Sequence, residues 1–451
     1  MAHIMIIGGS DAGISAALRA REINPDAIVT VIVSDSFPNY SICGLPFYVS
    51  GEVSDWRSLA HRTVEEIERE GIRLLLNHTA TMINPAKKMV EVTETAGLKQ
   101  TLSYDRLVIA TGAMPVRPEI TGLDSPGVYL LHTMQDGFQV HHHIAETNPQ
   151  TAVIIGAGYI GLELADAFRH RNLQVTLLAR SGILRRTIDA GPARIVEDEL
   201  RRHDVKVINR VAIKAIERDG AHLMVLGSMG FRTSADLVLI AAGVRPSSEL
   251  AAGAGIHTGL HGAIRVTRDM ETNIPDIFAA GDCVETWHHV THQYTYLPLG
   301  TTAHKQGRIA GENAADGHRH FAGSLGTQVV KVFDLAVAST GLREEEAREA
   351  GFDPLTVENK TWDHKAYYPG ARELLIRITG DRRSGRLLGA QIVGYWRAGV
   401  AKRIDIFTTA LFHGMKVEEL IDLDLSYTPP VSSPWDPVQI AALDWVKHLE
   451  R

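Results

Sequence analysis

The sequence predicts an α/β protein with two Rossmann-like dinucleotide-binding domains and a C-terminal α+β domain. Three observations carry this expectation. A unit of apolar strand, glycine turn and alanine-rich helix occurs twice, and each unit leads into a further β-rich run. Beyond about residue 325 the hydrophobic residues instead alternate with polar ones.

In the first unit the strand is Ile4-Met5-Ile6-Ile7, the turn runs from Gly8 to Gly13, and the helix starts at Ile14. Residues 29–33 supply the next strand. The second unit repeats the order with Ala152-Val153-Ile154-Ile155, the turn from Gly156 to Gly161 and the helix from Leu162, followed by residues 175–178. Strand–helix–strand order is what a parallel sheet requires, because parallel neighbours are joined by a crossover. Strands are also expected at 107–110 and 237–241, each running into a glycine, Gly112 or Gly243, with a proline close behind. Further on, 328–332, 374–378 and 388–392 read as antiparallel strands, with a helix around 402–413.

A chain of 451 residues is too long for one core, so two or three domains are expected. A composition of 45% hydrophobic and 22% charged residues is that of an ordinary globular protein. A net charge of -7 gives no general reason to bind nucleic acid. The N-terminal apolar run stops at a glycine turn, too short for a signal segment, and no stretch approaches a membrane span. Only two cysteines occur, Cys43 and Cys283. That argues against a disulfide scaffold and for a reducing compartment, so a cytoplasmic protein is expected.

Each glycine turn has the spacing of a dinucleotide loop. The first glycine permits the tight turn, the second lets backbone approach a pyrophosphate, and the third allows close helix–strand packing. The phosphates then rest on amides at a helix N-terminus. Candidate ligands of the first nucleotide are Gly8, Ser10, Asp11, Ala12 and Gly13, with Ser10 in place of the middle glycine. Asp35 is the nearest acid for its ribose. Candidates at the second are Gly156, Gly158, Tyr159, Ile160, Gly161 and Gly243. No acid ends that strand, which reads Leu177-Leu178-Ala179-Arg180-Ser181, with Arg185 and Arg186 close behind. Losing the carboxylate removes repulsion of a 2′-phosphate, and arginine can pair with it, so NADPH is expected, with NADH possible. The plainer reading of Arg180 is a solvated surface residue.

Cys43 lies in Ser41-Ile42-Cys43-Gly44-Leu45-Pro46. A thiol at a helix start feels the positive end of the dipole, which favours thiolate. With no second cysteine nearby, the partner sulfur comes from a substrate or the residue cycles through sulfenic acid. Cys283, after Gly281-Asp282, reads as a small buried filler. His288, His289 and His292 have no accompanying acids or cysteines, which argues against a metal site. His141, His142 and His143 read as solvated helix.

Taken in order, these motifs resemble the flavoprotein pyridine nucleotide–disulfide oxidoreductases over nearly the whole chain. They are Gly8 to Gly13, Ser41 to Pro46, Ala110-Thr111-Gly112, Gly156 to Glu163, Ala241 to Pro246, and Ala279-Ala280-Gly281-Asp282-Cys283. Within that family the chain is most similar to the single-cysteine branch of coenzyme A disulfide reductase, NADH oxidase and NADH peroxidase. The resemblance implies FAD held by residues 1–115 and 245–322, NAD(P)H by 116–244, and a dimerisation domain at 323–451. It implies that Ala110, Thr111, Gly112, Gly281 and Asp282 join the FAD site, and that Glu163 lies near the nicotinamide–flavin contact. His364 to Gly370 and Ser426 to Pro430 resemble segments whose tyrosines, here Tyr367 and Tyr427, reach the other subunit's cysteine. A homodimer follows. Asp11 stands where the family's peroxidases carry histidine, which argues against that activity. Paired active-site cysteines and a C-terminal His-Pro…Glu dyad are absent, and the length leaves no room for an added rhodanese domain.

The implied reaction is reduction of a small disulfide, of the coenzyme A type, through a mixed disulfide on Cys43. An NAD(P)H oxidase reducing O₂ with a sulfenic acid is the alternative, and a low-turnover redox-sensing flavoprotein is another. Arg19, Arg21 and Arg62 are candidates for a phosphorylated substrate, although arginines this plentiful are usually surface charge.

Overall fold

In the computed structural model, which describes residues 2–451, β1 (His3–Ile7) pairs in parallel with both β2 (Ile28–Ile32) and a later strand. β3 (Ile72–Leu75) extends the sheet beyond β2, and the later strand, β4 (Arg106–Ile109), flanks β1 on its other side. The strand Ile277–Ala279 returns from far along the chain to close the sheet beside β4. Ile4, Met5 and Ile6 are fully buried, as expected of a parallel sheet covered on both faces. The crossover helix α1 (Asp11–Ile23) packs against the helix Gly300–Ala314. That contact needs glycine: a Cβ on Gly307 or Gly311 would stand 2.1 Å from the carbonyl oxygen of Ala12 or Ala16. The segment carrying Cys43 follows β2 and leads into the short helix α2 (Leu45–Ser50).

The second sheet is also parallel. β5 (Val128–Leu130), β6 (Thr151–Ile155), β7 (Gln174–Ala179), β8 (Lys206–Asn209) and β9 (Leu237–Ile240) lie in the order β8-β7-β6-β9-β5. Helix α3 (Tyr159–His170) crosses from β6 to β7 and packs against α2, whose Leu45 and Val49 join the same buried core as Leu162. This contact sets Cys43 beside the second nucleotide-binding unit.

The third sheet is antiparallel throughout, with β10 (Gln328–Val332), β11 (Leu335–Gly341), β12 (Pro354–Trp362), β13 (Glu373–Asp381) and β14 (Leu387–Tyr395) in the order β10-β11-β14-β13-β12. α4 (Val400–Phe412) and α5 (Pro437–Leu449) cover it, and the fully buried Trp445 donates its indole N–H to Leu355 O at 2.8 Å. The turn between β10 and β11 docks on the second domain. There Lys331 Nζ meets Asp166 at 2.8 Å, Asp334 N donates to Glu199 at 2.9 Å, and His203 stacks on Phe333. Two three-stranded antiparallel sheets, spanning 78–103 and 213–235, were not among the expected elements. Among the described residues no helix is long and apolar enough to cross a membrane.

Candidate active site

The turn between β1 and α1 has the shape its glycines dictate. Gly8 has φ +118°, and a Cβ there would lie 2.0 Å from Ala110 O. A Cβ on Gly13 would lie 1.8 Å from Gly8 O, so the helix can start this close to the strand only without a side chain. Ser10 is the exposed N-cap of α1 and makes no capping bond with its hydroxyl. Thr111 Oγ1 donates to Ser247 O at 2.5 Å, and Gly112, with φ +68°, faces open space. Gly281 donates its N–H to Gln306 Oε1 at 3.0 Å.

Next to it, the carboxyl of Asp282 has no hydrogen-bonding partner among the described residues, and burial, with the charge of Asp11, pushes it up to about 6. An enclosed carboxylate with unused acceptor capacity suits the hydroxyls of a polyol chain, and the side-chain-free turns suit a pyrophosphate. These residues therefore fit an FAD. Asp35 is half-buried, and one of its oxygens already accepts from Phe37 N at 2.8 Å, leaving the other for a ribose.

The second turn repeats the close backbone approaches of the first. A Cβ on Gly156 would lie 2.1 Å from Ala241 O and one on Gly161 would lie 2.0 Å from Gly156 O, while Gly158 and Gly243 face open space. Tyr159 and Ile160 are half-buried at the start of α3, and burial pushes the Tyr159 phenol far up. At the end of β7, Arg180, Arg185 and Arg186 are all exposed. Arg185 is committed to the C-terminal domain through Glu345 at 3.1 Å. Arg180 and Arg186 have no ion-pair partner among the described residues.

Cys43 belongs to one turn of 3₁₀ helix, Ile42–Gly44, immediately before α2. It is open to solvent, and the charges that act on it come from both nucleotide-binding units, Asp11 and Asp282 of the first and Glu163 of the second. The expected thiolate-favouring environment is not what the protein supplies. Desolvation by the surrounding protein, then the carboxyls of Glu163, Asp11 and Asp282, push the thiol above its ordinary range. α2 has only six residues, and desolvation together with three acids from distant parts of the chain opposes the thiolate its start would favour. Glu163 itself is pushed up to about 7 by burial and by Asp166, with Lys331 opposing.

Behind the Cys43 loop, Phe37, Tyr40, Trp56 and Phe138 interlock edge to face, with Phe37–Trp56 centroids 5.7 Å apart and Trp56–Phe138 centroids 5.2 Å apart. This aromatic support holds the loop and was not legible in the sequence, nor was His304. That imidazole lies 3.4 Å from Asp11 and 2.9 Å from Ser15 Oγ. Nothing in its local sequence marks it.

Cys283 is fully buried, its thiol directed at Ile109 O and Ala280 O, and burial raises it to about 11. His288 is buried and held down to about 4, and His289 lies against the carbonyls of Ala322 and Phe412. In the triplet 141–143, only His142 is exposed, and it lies 3.0 Å from Glu146. His141 stacks on Tyr48 at 4.6 Å, and His143 is half-buried against Tyr129. Of the arginines considered for a phosphorylated substrate, Arg19 is paired with Glu22 and Glu312, Arg21 donates to backbone carbonyls, and Arg62 is exposed and unpaired among the described residues.

Tyr367 and Tyr427 lie side by side on the outer face of the C-terminal domain, 72% and 45% exposed. Slight desolvation and the neighbouring Tyr367 hydroxyl push the Tyr427 phenol up. The groups that act on the Cys43 thiol come from α1, α3 and the Gly281-Asp282 turn, and neither tyrosine is among them.

Comparison with known proteins agrees with this geometry. The pattern described as pyridine nucleotide-disulphide oxidoreductase matches residues 2–307, and that of the same family's dimerisation domain matches 327–437. An NAD(P)H sulfur oxidoreductase (CoA-dependent) from Pyrococcus furiosus is 36% identical over 441 residues, covering 97% of this chain and 98% of its own. A coenzyme A disulfide reductase from Staphylococcus haemolyticus is 29% identical over 445 residues, covering 98% of each. An engineered water-forming NADPH oxidase bound to NADPH, derived from the Lactobacillus brevis NADH oxidase, superposes with a TM-score of 0.95 at 27% identity, covering 99% of both chains.

Proposed function

The chain belongs to the pyridine nucleotide-disulphide oxidoreductases, and on that premise we propose that it reduces a low-molecular-weight disulfide of the coenzyme A type with NADPH. Cys43 carries the reading: one solvent-open thiol under the influence of charges from both nucleotide-binding units, with the only other cysteine buried and bonded to backbone. A lone thiol can cycle only by bonding to an atom brought by the substrate.

FAD and the nicotinamide nucleotide, when bound, supply the two electrons of the cycle. Cys43 as thiolate attacks one sulfur of RSSR, so that a Cys43–S–SR bond forms and RS⁻ leaves. Two electrons and a proton then split that bond, releasing RSH and restoring the Cys43 thiolate. The balance is RSSR + NADPH + H⁺ giving 2 RSH + NADP⁺. The leaving thiolate must take up a proton, which requires a donor within reach of Cys43. We assign that part to Tyr367 and Tyr427 of the partner subunit in a homodimer. Their pairing on an exposed face of the domain that matches the dimerisation pattern supports this. In this reading Gly8, Ser10, Ala12, Gly13, Asp35, Ala110, Thr111, Gly112, Gly281 and Asp282 hold FAD, and Asp11 and Glu163 set the charge around it. The domains divide as 1–115 with 245–322, 116–244 and 323–451. Two free cysteines support a cytoplasmic setting.

The engineered NADPH oxidase supports the nucleotide preference. Its five substitutions put Ala, Ala, Arg, Ser and Arg at positions spaced 18, 1, 1 and 5 residues apart. Gly161, Ala179, Arg180, Ser181 and Arg186 have that spacing here, and the last four are the engineered residues. We therefore assign Arg180 and Arg186 to the 2′-phosphate, with Arg185, which meets Glu345 in an exposed pair, beside them.

A second reading, an oxidase with Cys43 cycling as sulfenic acid, is favoured by that same likeness. An anaerobic assay with NADPH and coenzyme A disulfide, counting thiols, separates the two. Two thiols per NADPH support the reductase. No thiol from any small disulfide or persulfide, with NADPH consumed only when air is admitted, supports the oxidase.

A further inference from the structure

The loops that carry Tyr367 and Tyr427 meet at one buried cation. Arg403, near the start of α4, is only 7% exposed. Its Nη1 donates to Ala398 O at 2.7 Å and its Nη2 to Asp363 O at 2.7 Å. Nε and Nη2 also reach the Asp436 carboxylate, at 3.2 and 3.1 Å. Asp363 opens the loop of Tyr367, and its own carboxylate closes that loop by accepting from Arg372 N at 2.8 Å. Asp436 ends the loop of Tyr427. It accepts from Ser432 Oγ at 2.9 Å and from Val438 N at 2.9 Å, capping α5. From α5, Gln439 donates to Ile421 O and Leu423 O, both at 2.8 Å, and so pins the stretch before Tyr427. Lys365 N reaches Pro429 O at 3.4 Å between the two loops.

Neither loop has regular secondary structure to hold its tyrosine, and both phenols lie outside the core. The guanidinium is the only group among the described residues that bonds to both loop anchors. Burying an arginine is costly unless its donors are satisfied, and here they are spent on loop anchors rather than on the sheet.

We propose that Arg403 is a positioning residue for disulfide cleavage, locking the two loops together so that Tyr367 and Tyr427 reach the partner subunit's Cys43 as one unit. This rests on the reading that the tyrosines act across the dimer. Arg403 touches no substrate and acts only through them.

The test uses the FAD-loaded homodimer. Arg403→Lys keeps the charge opposite Asp436, but a single ammonium cannot span Ala398, Asp363 and Asp436 at once. Thiol release from coenzyme A disulfide is measured beside NADPH-driven ferricyanide reduction, which needs neither tyrosine. The expected result is a fall in kcat for thiol release of about ten- to a hundredfold, with the KM for NADPH and the ferricyanide rate held within about twofold. Added to a Tyr367→Phe/Tyr427→Phe background, Arg403→Lys should cost less than about twofold more. An undiminished kcat, a fully multiplicative loss on that background, or an equal loss of ferricyanide reduction would overturn the proposal. Should Arg403→Lys fail to assemble, Ser432→Ala, which loosens Asp436 alone, is read by the same three criteria. Tyrosine variants with wild-type thiol release would sink the reading and this proposal together. Slow tyrosine variants beside a fast Arg403→Lys would sink only this one.

Discussion

Replacing Glu163 with glutamine should change how stability depends on pH, and the size follows from its surroundings. Burial, and Asp166 one turn along α3, raise this carboxyl from its ordinary 4.5 to about 7. The folded chain therefore keeps the proton up to about pH 7, whereas the unfolded chain releases it near 4.5. Between those values the folded state binds more protons, so wild-type stability falls as pH rises through that window and is level outside it. At about 1.4 kcal/mol per pH unit, the loss is on the order of 3 kcal/mol. Glutamine keeps the shape and removes the slope. At equal flavin content, melts near pH 8 should show the Glu163→Gln variant more stable by on the order of 3 °C or more, with the gap nearly closed at about pH 5. An equal gap at both pH values, or a less stable variant at pH 8, would refute the claim that burial of this charge is what raises it.

Three further outcomes follow. Gly13→Ala would place a Cβ 1.8 Å from Gly8 O, so the variant should lose bound flavin, read as the ratio of flavin to protein absorbance; a full complement would show that the turn can relax. Arg180→Asp with Arg186→Ala should move the kcat/KM ratio from NADPH towards NADH by about tenfold to a hundredfold or more, since one charge-assisted pairing alone is worth about that much and two are removed; an unchanged ratio would return both arginines to the solvated surface. Native protein treated with a thiol reagent should react at one cysteine per chain, and Cys283→Ala should leave that count unchanged, since the Cys283 thiol is buried.

The two nucleotide-binding units were legible because their glycines answer to backbone geometry. Gly8 and Gly13, like Gly156 and Gly161, leave no room for a Cβ, so the spacing alone declares the turn. Strand β10 was found at its expected limits, and the antiparallel sheet around it followed from the alternating runs. Other features depend on residues far apart in sequence and left no local signal. The thiol environment is one: Asp11, Glu163 and Asp282 converge on Cys43 from three segments, and no helix-start argument could include them. Arg403 is another, since its partners lie 40 residues before it and 33 after it. The strand Lys99–Ser103 was missed because most of its residues are exposed and present no apolar face.

The most direct measurement is a single turnover without nucleotide. Reduced protein is mixed anaerobically with excess coenzyme A disulfide, released thiol is counted, and the chain is weighed intact and after digestion. One thiol per chain should be released, with a matching half of the substrate bonded to Cys43 and nothing on the Cys43→Ser variant. Thiol release without a Cys43 adduct, or an adduct on Cys283, would contradict the reading.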